Sequence, residues 1–276
     1  MNNKMKNLTM YCISLEPNHL NFIQSLGYVP VGLGNKKFSK DWFRDNTEKN
    51  ISEKNKYYGE YTFHYWIWKN YLEKLDNNWI GFCQYRKFWT IKDNETEDLS
   101  IKKLNSVVLK NIPDGLEKYD VILGAPFKIK NKPIKFIKKN FKLILKNPAV
   151  LFSEKKRNIN FHFDLMHGEN NLSRAISLLD EENKIGFSNF VKKNSEFNPH
   201  NMFVCKSKEI LKSYYEVIFP WLKRCENLFG FENLHGYDLT RIYGFLAERF
   251  LSYWFKKNTK YTTLPIIFYD IRNELN

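Results

Sequence analysis

The segment Leu8–Leu15 (LTMYCISL) constrains the fold most. It is an almost continuous apolar run, far too short to cross a membrane, and it reads as a strand buried on both faces. Pro17–Leu26 follows as a short helix and Tyr28–Gly32 as a second strand. Strand, crossover helix and strand form a βαβ unit, which predicts a parallel sheet.

The pattern continues downstream. Tyr61–Leu75 has helical periodicity and is rich in aromatics, Trp79–Tyr85 (WIGFCQY) reads as an apolar strand, and Tyr119–Gly124 reads as another. Asn171–Lys193 reads as helix with a break at Gly186, and His200–Cys205 as a short strand. Ser207–Phe229 and Tyr237–Lys257 read as long amphipathic helices, and Lys260–Phe268 as a final strand. Neither an internal repeat nor a low-complexity linker interrupts the chain. The expected organisation is one domain over residues 1–276, with a basic insertion at 126–160.

The 276 residues are 43% hydrophobic and 17% aromatic, enough for a large core. The net charge is +14, which favours an anionic partner, although abundant Lys, Asn, Ile and Phe also match a biased genome. Cys12, Cys83, Cys205 and Cys225 form no CxxC pair and read as small buried residues of a reducing compartment. No stretch approaches the roughly 20 apolar residues of a membrane span, and the N-terminus lacks a signal-peptide core. The expected location is cytoplasmic.

Three short segments carry chemistry. Ser14-Leu15-Glu16 ends the first strand, where open α/β sheets bind ligands; an ordinary strand-to-helix turn would look the same. Gly59-Glu60-Tyr61-Thr62 opens the Tyr61–Leu75 helix, whose N-terminus attracts anions, while Glu60 taken alone reads as a helix cap. Gly81–Phe88 runs a buried strand into a Gln84-Tyr85-Arg86-Lys87 turn. Arg86 there is either a solvated edge charge or a bidentate partner for phosphate. Neither GxGxxG nor GxxxxGK[ST] is present, which disfavours a dinucleotide or P-loop site.

These segments occur in an order that resembles the bacterial DUF4422 glycosyltransferases of capsule and lipopolysaccharide loci. Gly59–Thr62 with Tyr65–Asn70 (YWIWKN), Gly81–Phe88, Asn201-Met202-Phe203 and Arg241–Arg249 (RIYGFLAER) match that family's motifs over roughly residues 57–255. Tyr61, Gln84 and Lys87 depart from its Leu, His and second Arg. The resemblance implies a GT-A-like (Rossmann-like) α/β fold, with a central mostly parallel sheet flanked by helices. It also implies a hexosyltransferase-type enzyme that moves a sugar from a nucleotide-sugar, a UDP-sugar foremost, to a capsular or lipopolysaccharide-type acceptor.

On this reading Ser14, Glu16, Glu60, Thr62, Gln84, Tyr85, Arg86, Asn201 and Arg241 hold the donor. GT-A enzymes place an Asp-x-Asp metal turn after an interior strand. The analogous Gln84-Tyr85-Arg86 has no carboxylate, so Arg86 with Lys87 is expected to replace the metal as counter-charge. No metal ligands are assigned, no cofactor is expected to be tightly bound, and divalent-metal dependence stays open. Glu169, His167, His200, Asp238 and Glu248 are the candidate bases, Asp238 reading on its own as a cap. Glu248 and Arg241 lie seven residues apart, on one helical face. His167, His200 and His235 lack metal-ligand spacing.

Between Pro126 and Asn160 there are eleven Lys or Arg and one Glu, which is +10 of the +14. Within it, Pro133–Phe152 reads as a basic amphipathic helix, able either to lie on an anionic membrane surface beside a lipid-linked acceptor or to pack on the core. Two rival readings are a basic nucleic-acid-binding protein and a non-catalytic partner of polysaccharide assembly. Salt-sensitive binding of arbitrary oligonucleotides without nucleoside-diphosphate binding would favour the first.

Overall fold

The computed structural model describes residues 7–75, 78–91, 101–129, 141–146, 148–153 and 156–271. Its strands are β1 (Leu8–Ser14), β2 (Val29–Gly32), β3 (Phe43–Arg44), β4 (Trp79–Gln84), β5 (Lys87–Trp89), β6 (Val121–Gly124), β7 (Phe127–Lys128), β8 (Glu196–Phe197), β9 (Phe203–Cys205), β10 (Tyr261–Leu264) and β11 (Ile266–Phe268). The central sheet runs β10-β6-β9-β4-β1-β2-β3, with β5 returning from β4 to pair with β11. β1 pairs in parallel with both β2 and β4, with Cys12 opposite Pro30 on one side and Cys83 on the other. β9 alone opposes its neighbours along this path, pairing antiparallel with β4 and β6. The expected mostly parallel α/β sheet is therefore present.

Side-chain alternation explains why β1 reads as uniformly apolar. Tyr11 and Ile13 enter one core with Phe82, Leu123 and Phe203, while Met10 and Cys12 enter the other with Cys83, Ile122 and Val204. Both faces are covered, so neither side of the strand needs polar residues. All four cysteines are buried and free.

The predicted helices form with changed boundaries. Ser207 caps the Lys208–Phe229 helix, its side chain accepting from the Ile210 N–H at 3.5 Å. Tyr61–Leu75 is α-helical only to Trp66, continues as a π-turn over Ile67–Tyr71 and closes in a 3-10 turn. Tyr237–Lys257 is interrupted at Arg241, between Tyr237–Thr240 and Ile242–Asn258.

The break predicted at Gly186 lies elsewhere. The chain leaves one helix at Ile176 and restarts at Glu181, where Asp180 accepts from the Asn183 N–H at 3.0 Å. Gly186 sits inside that second helix, and it is a glycine there that makes room for the Tyr253 hydroxyl of the packed Ile242–Asn258 helix, which a Cβ would overlap. Much of the predicted Pro133–Phe152 helix lies outside the described residues. Within them, Phe141–Lys146 is helical and Pro148–Leu151 forms a 3-10 turn. Among the described residues no helix is long and apolar enough to cross a membrane.

Candidate functional site

The carboxyl ends of β1, β2 and β4 meet at a cleft of about 210 Å³. Two backbone bonds fix its floor: Leu33 N–H donates to the Ser14 carbonyl at 2.9 Å, and Tyr85 N–H to the Ile13 carbonyl at 3.0 Å. The Gly59-Glu60 turn forms one wall, the His200-Asn201 turn another, and the Tyr237–Glu248 segment the third. This is where parallel α/β sheets bind ligands, because adjacent loops diverge there.

Glu60 organises the walls. Its Oε1 accepts from Asn201 Nδ2 at 2.9 Å and Gln84 Nε2 at 3.3 Å, and its Oε2 pairs with Arg241 Nη2 at 3.5 Å. Its side chain makes no capping bond to the helix that follows, so the cap predicted for it is not formed. Gln84 also donates to the His200 carbonyl at 3.0 Å and accepts from Lys87 Nζ at 3.4 Å. Asn201 donates a second time, to the Gly244 carbonyl at 3.1 Å, while its buried Oδ1 lacks a hydrogen-bond partner among the described residues.

Three cations and two carboxylates line the cleft. Arg86 lines it, lies 4.0 Å from Asp270 and has its guanidinium 5.0 Å from the Tyr85 ring. Lys87 and Arg241 line it as well. Burial lowers the Lys87 pKa, Glu60 and Glu248 oppose that, and Arg86 and Arg241 add to it. Glu248 is held from both sides: Oε1 accepts from the His200 N–H at 2.5 Å and Oε2 pairs with buried Arg249. Burial and the Lys87 charge push the His200 imidazole down to about 4.

Of the residues predicted to hold the donor, Ser14, Glu60, Gln84, Tyr85, Arg86, Asn201 and Arg241 line the cleft. Ser14 is fully buried, its hydroxyl 2.7 Å from His19 Nδ1. Glu16 does not reach the cleft and pairs with Lys36. Thr62 is buried, bonded to the Gly59 carbonyl at 3.1 Å.

Among the predicted bases, Glu248 and His200 line the cleft. His167 is buried instead, stacked 4.0 Å from Phe245 and bonded through Nδ1 to the Asp238 carbonyl at 3.0 Å. Glu169 is exposed and pairs with Lys146 at 2.8 Å. Asp238 sits in a short helix whose N-cap is Gly236, so it is not the predicted cap and does not line the cleft.

Sequence reasoning missed Asn55, Tyr237 and Phe245. The last two had a signal: Tyr237, Arg241, Phe245 and Glu248 recur at helical spacing and all line the cleft. Asn55 had none; it lines the cleft from the start of the short Asn55–Tyr58 helix and donates to the Gly59 carbonyl at 3.1 Å. Among the described residues, no group of three or more His, Cys, Asp or Glu converges as a metal site. The cleft carboxylates Glu60 and Glu248 are both engaged by cations or amides.

This fold is shared with a glycosyltransferase. The apo structure of the bifunctional glycosyltransferase WbbM matches with a TM-score of 0.58 at 20% identity, covering 95% of this chain and 45% of that one. The chain thus spans less than half the length of that enzyme. A family model described as a domain of unknown function, DUF4422, matches residues 14–259. The chain belongs to that family. No functionally curated protein matches it.

Proposed function

We propose that the chain is a hexosyltransferase-type glycosyltransferase. It uses a nucleotide-sugar donor, a UDP-sugar foremost, and a saccharide acceptor of the capsular or lipopolysaccharide kind. One observation carries the reading: Arg86, in the turn just past the end of interior strand β4, lines the cleft together with Lys87 and Arg241. In the reaction an acceptor hydroxyl oxygen bonds to the anomeric carbon while the bond to the diphosphate oxygen breaks. The leaving diphosphate takes the electron pair, and Arg86 with Lys87 offsets the charge that develops on it. Glu248 takes the hydroxyl proton; its ion pair with Arg249 fixes the carboxylate in place. Tyr237, 68% exposed, and Phe245 form the mouth over which acceptor sugars enter.

A membrane role belongs to the same proposal. Leu145 is 63% and Phe152 88% exposed in the basic segment, and both would enter the acyl boundary of an anionic leaflet. Flotation with anionic vesicles should carry the protein upward and neutral vesicles should not; absence from both refutes this part.

The central test is thermal shift with nucleoside diphosphates and nucleotide sugars. Ligand at 100 times its Kd stabilises by about 2.7 kcal/mol. UDP or its sugars should raise the Tm of the parent, and Arg86→Gln should remove most of that rise. An unchanged rise in Arg86→Gln overturns the assignment. So does activity that depends strictly on Mn²⁺ and vanishes with chelator.

A further inference from the structure

The aromatic stretch Tyr65–Asn70 does not reach the cleft. Trp66 Nε1 donates to the Thr47 carbonyl at 3.1 Å, and Asn70 Nδ2 to the Lys49 carbonyl at 2.9 Å, so this turn grips the loop before it. Tyr65, Trp68 and Lys69 instead line a second groove of about 400 Å³, together with Phe219 and Pro220 of the Lys208–Phe229 helix. The π-turn over Ile67–Tyr71 carries two of them. Such a turn costs hydrogen-bond geometry and often marks a functional site.

The groove is aromatic and positive together. Trp68 stacks on Phe219 with centroids 5.3 Å apart, and Tyr65 meets Phe219 edge-on at 5.3 Å. The Lys69 ammonium rests 3.0 Å from the Trp68 ring centre. A cation lodged on a ring keeps its full charge. Lys49 also lines the groove and is near enough to lower the Lys69 pKa, after burial and against Glu216. At the other end Lys54 and Lys223 share one buried carboxylate, Glu226, which also accepts from the Tyr58 hydroxyl at 3.0 Å. Two cations on one anion leave that end positive as well.

We propose that this groove holds the carboxylate-bearing sugars of an acidic saccharide, as a binding subsite separate from the transfer cleft. Ring C–H groups of a pyranose suit the parts of the Tyr65 and Trp68 rings that line the groove. A ring carboxylate answers the excess of lysine over carboxylate along the groove. The two sites share a wall: Asn55 lines the cleft, while Lys54 before it lines the groove. A chain extended in one would pass over that wall to the other. The inference rests on the transferase reading for its purpose, though not for its chemistry.

Calorimetry on the full chain tests it, with an oligogalacturonate, a neutral maltooligosaccharide of equal length and inorganic phosphate as probes. The oligogalacturonate should bind about tenfold tighter than either other probe, and should weaken about tenfold in high salt, because exposed charges are screened. Lys49→Glu combined with Lys69→Gln should weaken it by about tenfold more. Lys223→Glu, at an exposed position, is the second variant and should act in the same direction. Equal binding of the neutral sugar, phosphate binding as tight as the oligogalacturonate, or parent-like affinity in both variants each overturns the proposal. UDP thermal shifts on the same proteins separate the two sites. Oligogalacturonate binding without any UDP response sinks the transfer reading and keeps the groove; the reverse sinks only the groove.

Discussion

Gly59 and Arg241 occupy the same space: a Cβ at position 59 would overlap Arg241 Nη2 and lie 3.2 Å from its Cζ. Gly59 also has φ +59°, in the region that side chains avoid. The glycine therefore lets the guanidinium close on Glu60 at 3.5 Å. Gly59→Ala should cost about 1–3 kcal/mol through backbone strain and displace Arg241. Denaturant unfolding measures the first effect. Weaker UDP stabilisation measures the second, and an unaltered response to UDP would show that Arg241 plays no part in binding.

Glu60→Gln keeps the shape and removes the charge that Arg241 and the amides of Gln84 and Asn201 share. A Gln amide cannot accept from all three, so the walls lose their common anchor. Transfer should fall on the order of 10- to 100-fold, since misplaced groups cost about that much. The fold should survive, because the cores beneath are apolar. Single-turnover rates check the loss, and near-parent rates would reduce Glu60 to a bystander.

Acid should destabilise the protein through buried imidazoles. Burial lowers His64 to about 3 and, with the Lys87 charge, His200 to about 4, both from 6.5. Between those values and 6.5 the unfolded chain binds the extra protons, so stability is complete above pH 6.5 and is lost as pH falls. Asp164 works against this: burial raises it from 3.8 to about 6, so its contribution is lost as pH rises through that window. Burial raises the Asp45 carboxyl in the same direction as Asp164, so a histidine variant is needed to isolate the imidazole part of the slope. His200→Asn, at a φ of +79° that Asn tolerates, should flatten the slope between pH 4 and 6 by about 1 kcal/mol per pH unit. Urea midpoints across that range test it; an identical slope in the variant would clear His200 of the effect.

The sheet was legible in the sequence because β1 and β4 are apolar on both faces, a pattern few other elements produce. The cleft was legible where motifs sit at strand ends, as Arg86 and Gln84 do. Local reasoning failed where spatial neighbours decide a residue's role. Glu60 reads as a helix cap until Asn201 and Arg241 arrive from distant segments. Gly186 reads as a break until Tyr253 is packed against it. His167 and Glu169 sit side by side in a polar-looking turn, yet Phe245 covers the first and Lys146 engages the second.

That separation makes the base assignment testable. Glu248 lines the cleft with its carboxylate fixed by the His200 N–H and Arg249, whereas Glu169 pairs with Lys146 outside it. Glu248→Gln keeps an oxygen for the His200 N–H but cannot take a proton at neutral pH, so kcat should fall about 100- to 10,000-fold. Donor binding, read by thermal shift, should change little. Glu169→Gln and Asp238→Asn should leave kcat within about twofold, since surface substitutions away from a site are nearly neutral. Near-parent kcat in Glu248→Gln, together with a large loss in Glu169→Gln, would move the base out of the cleft and with it the acceptor site.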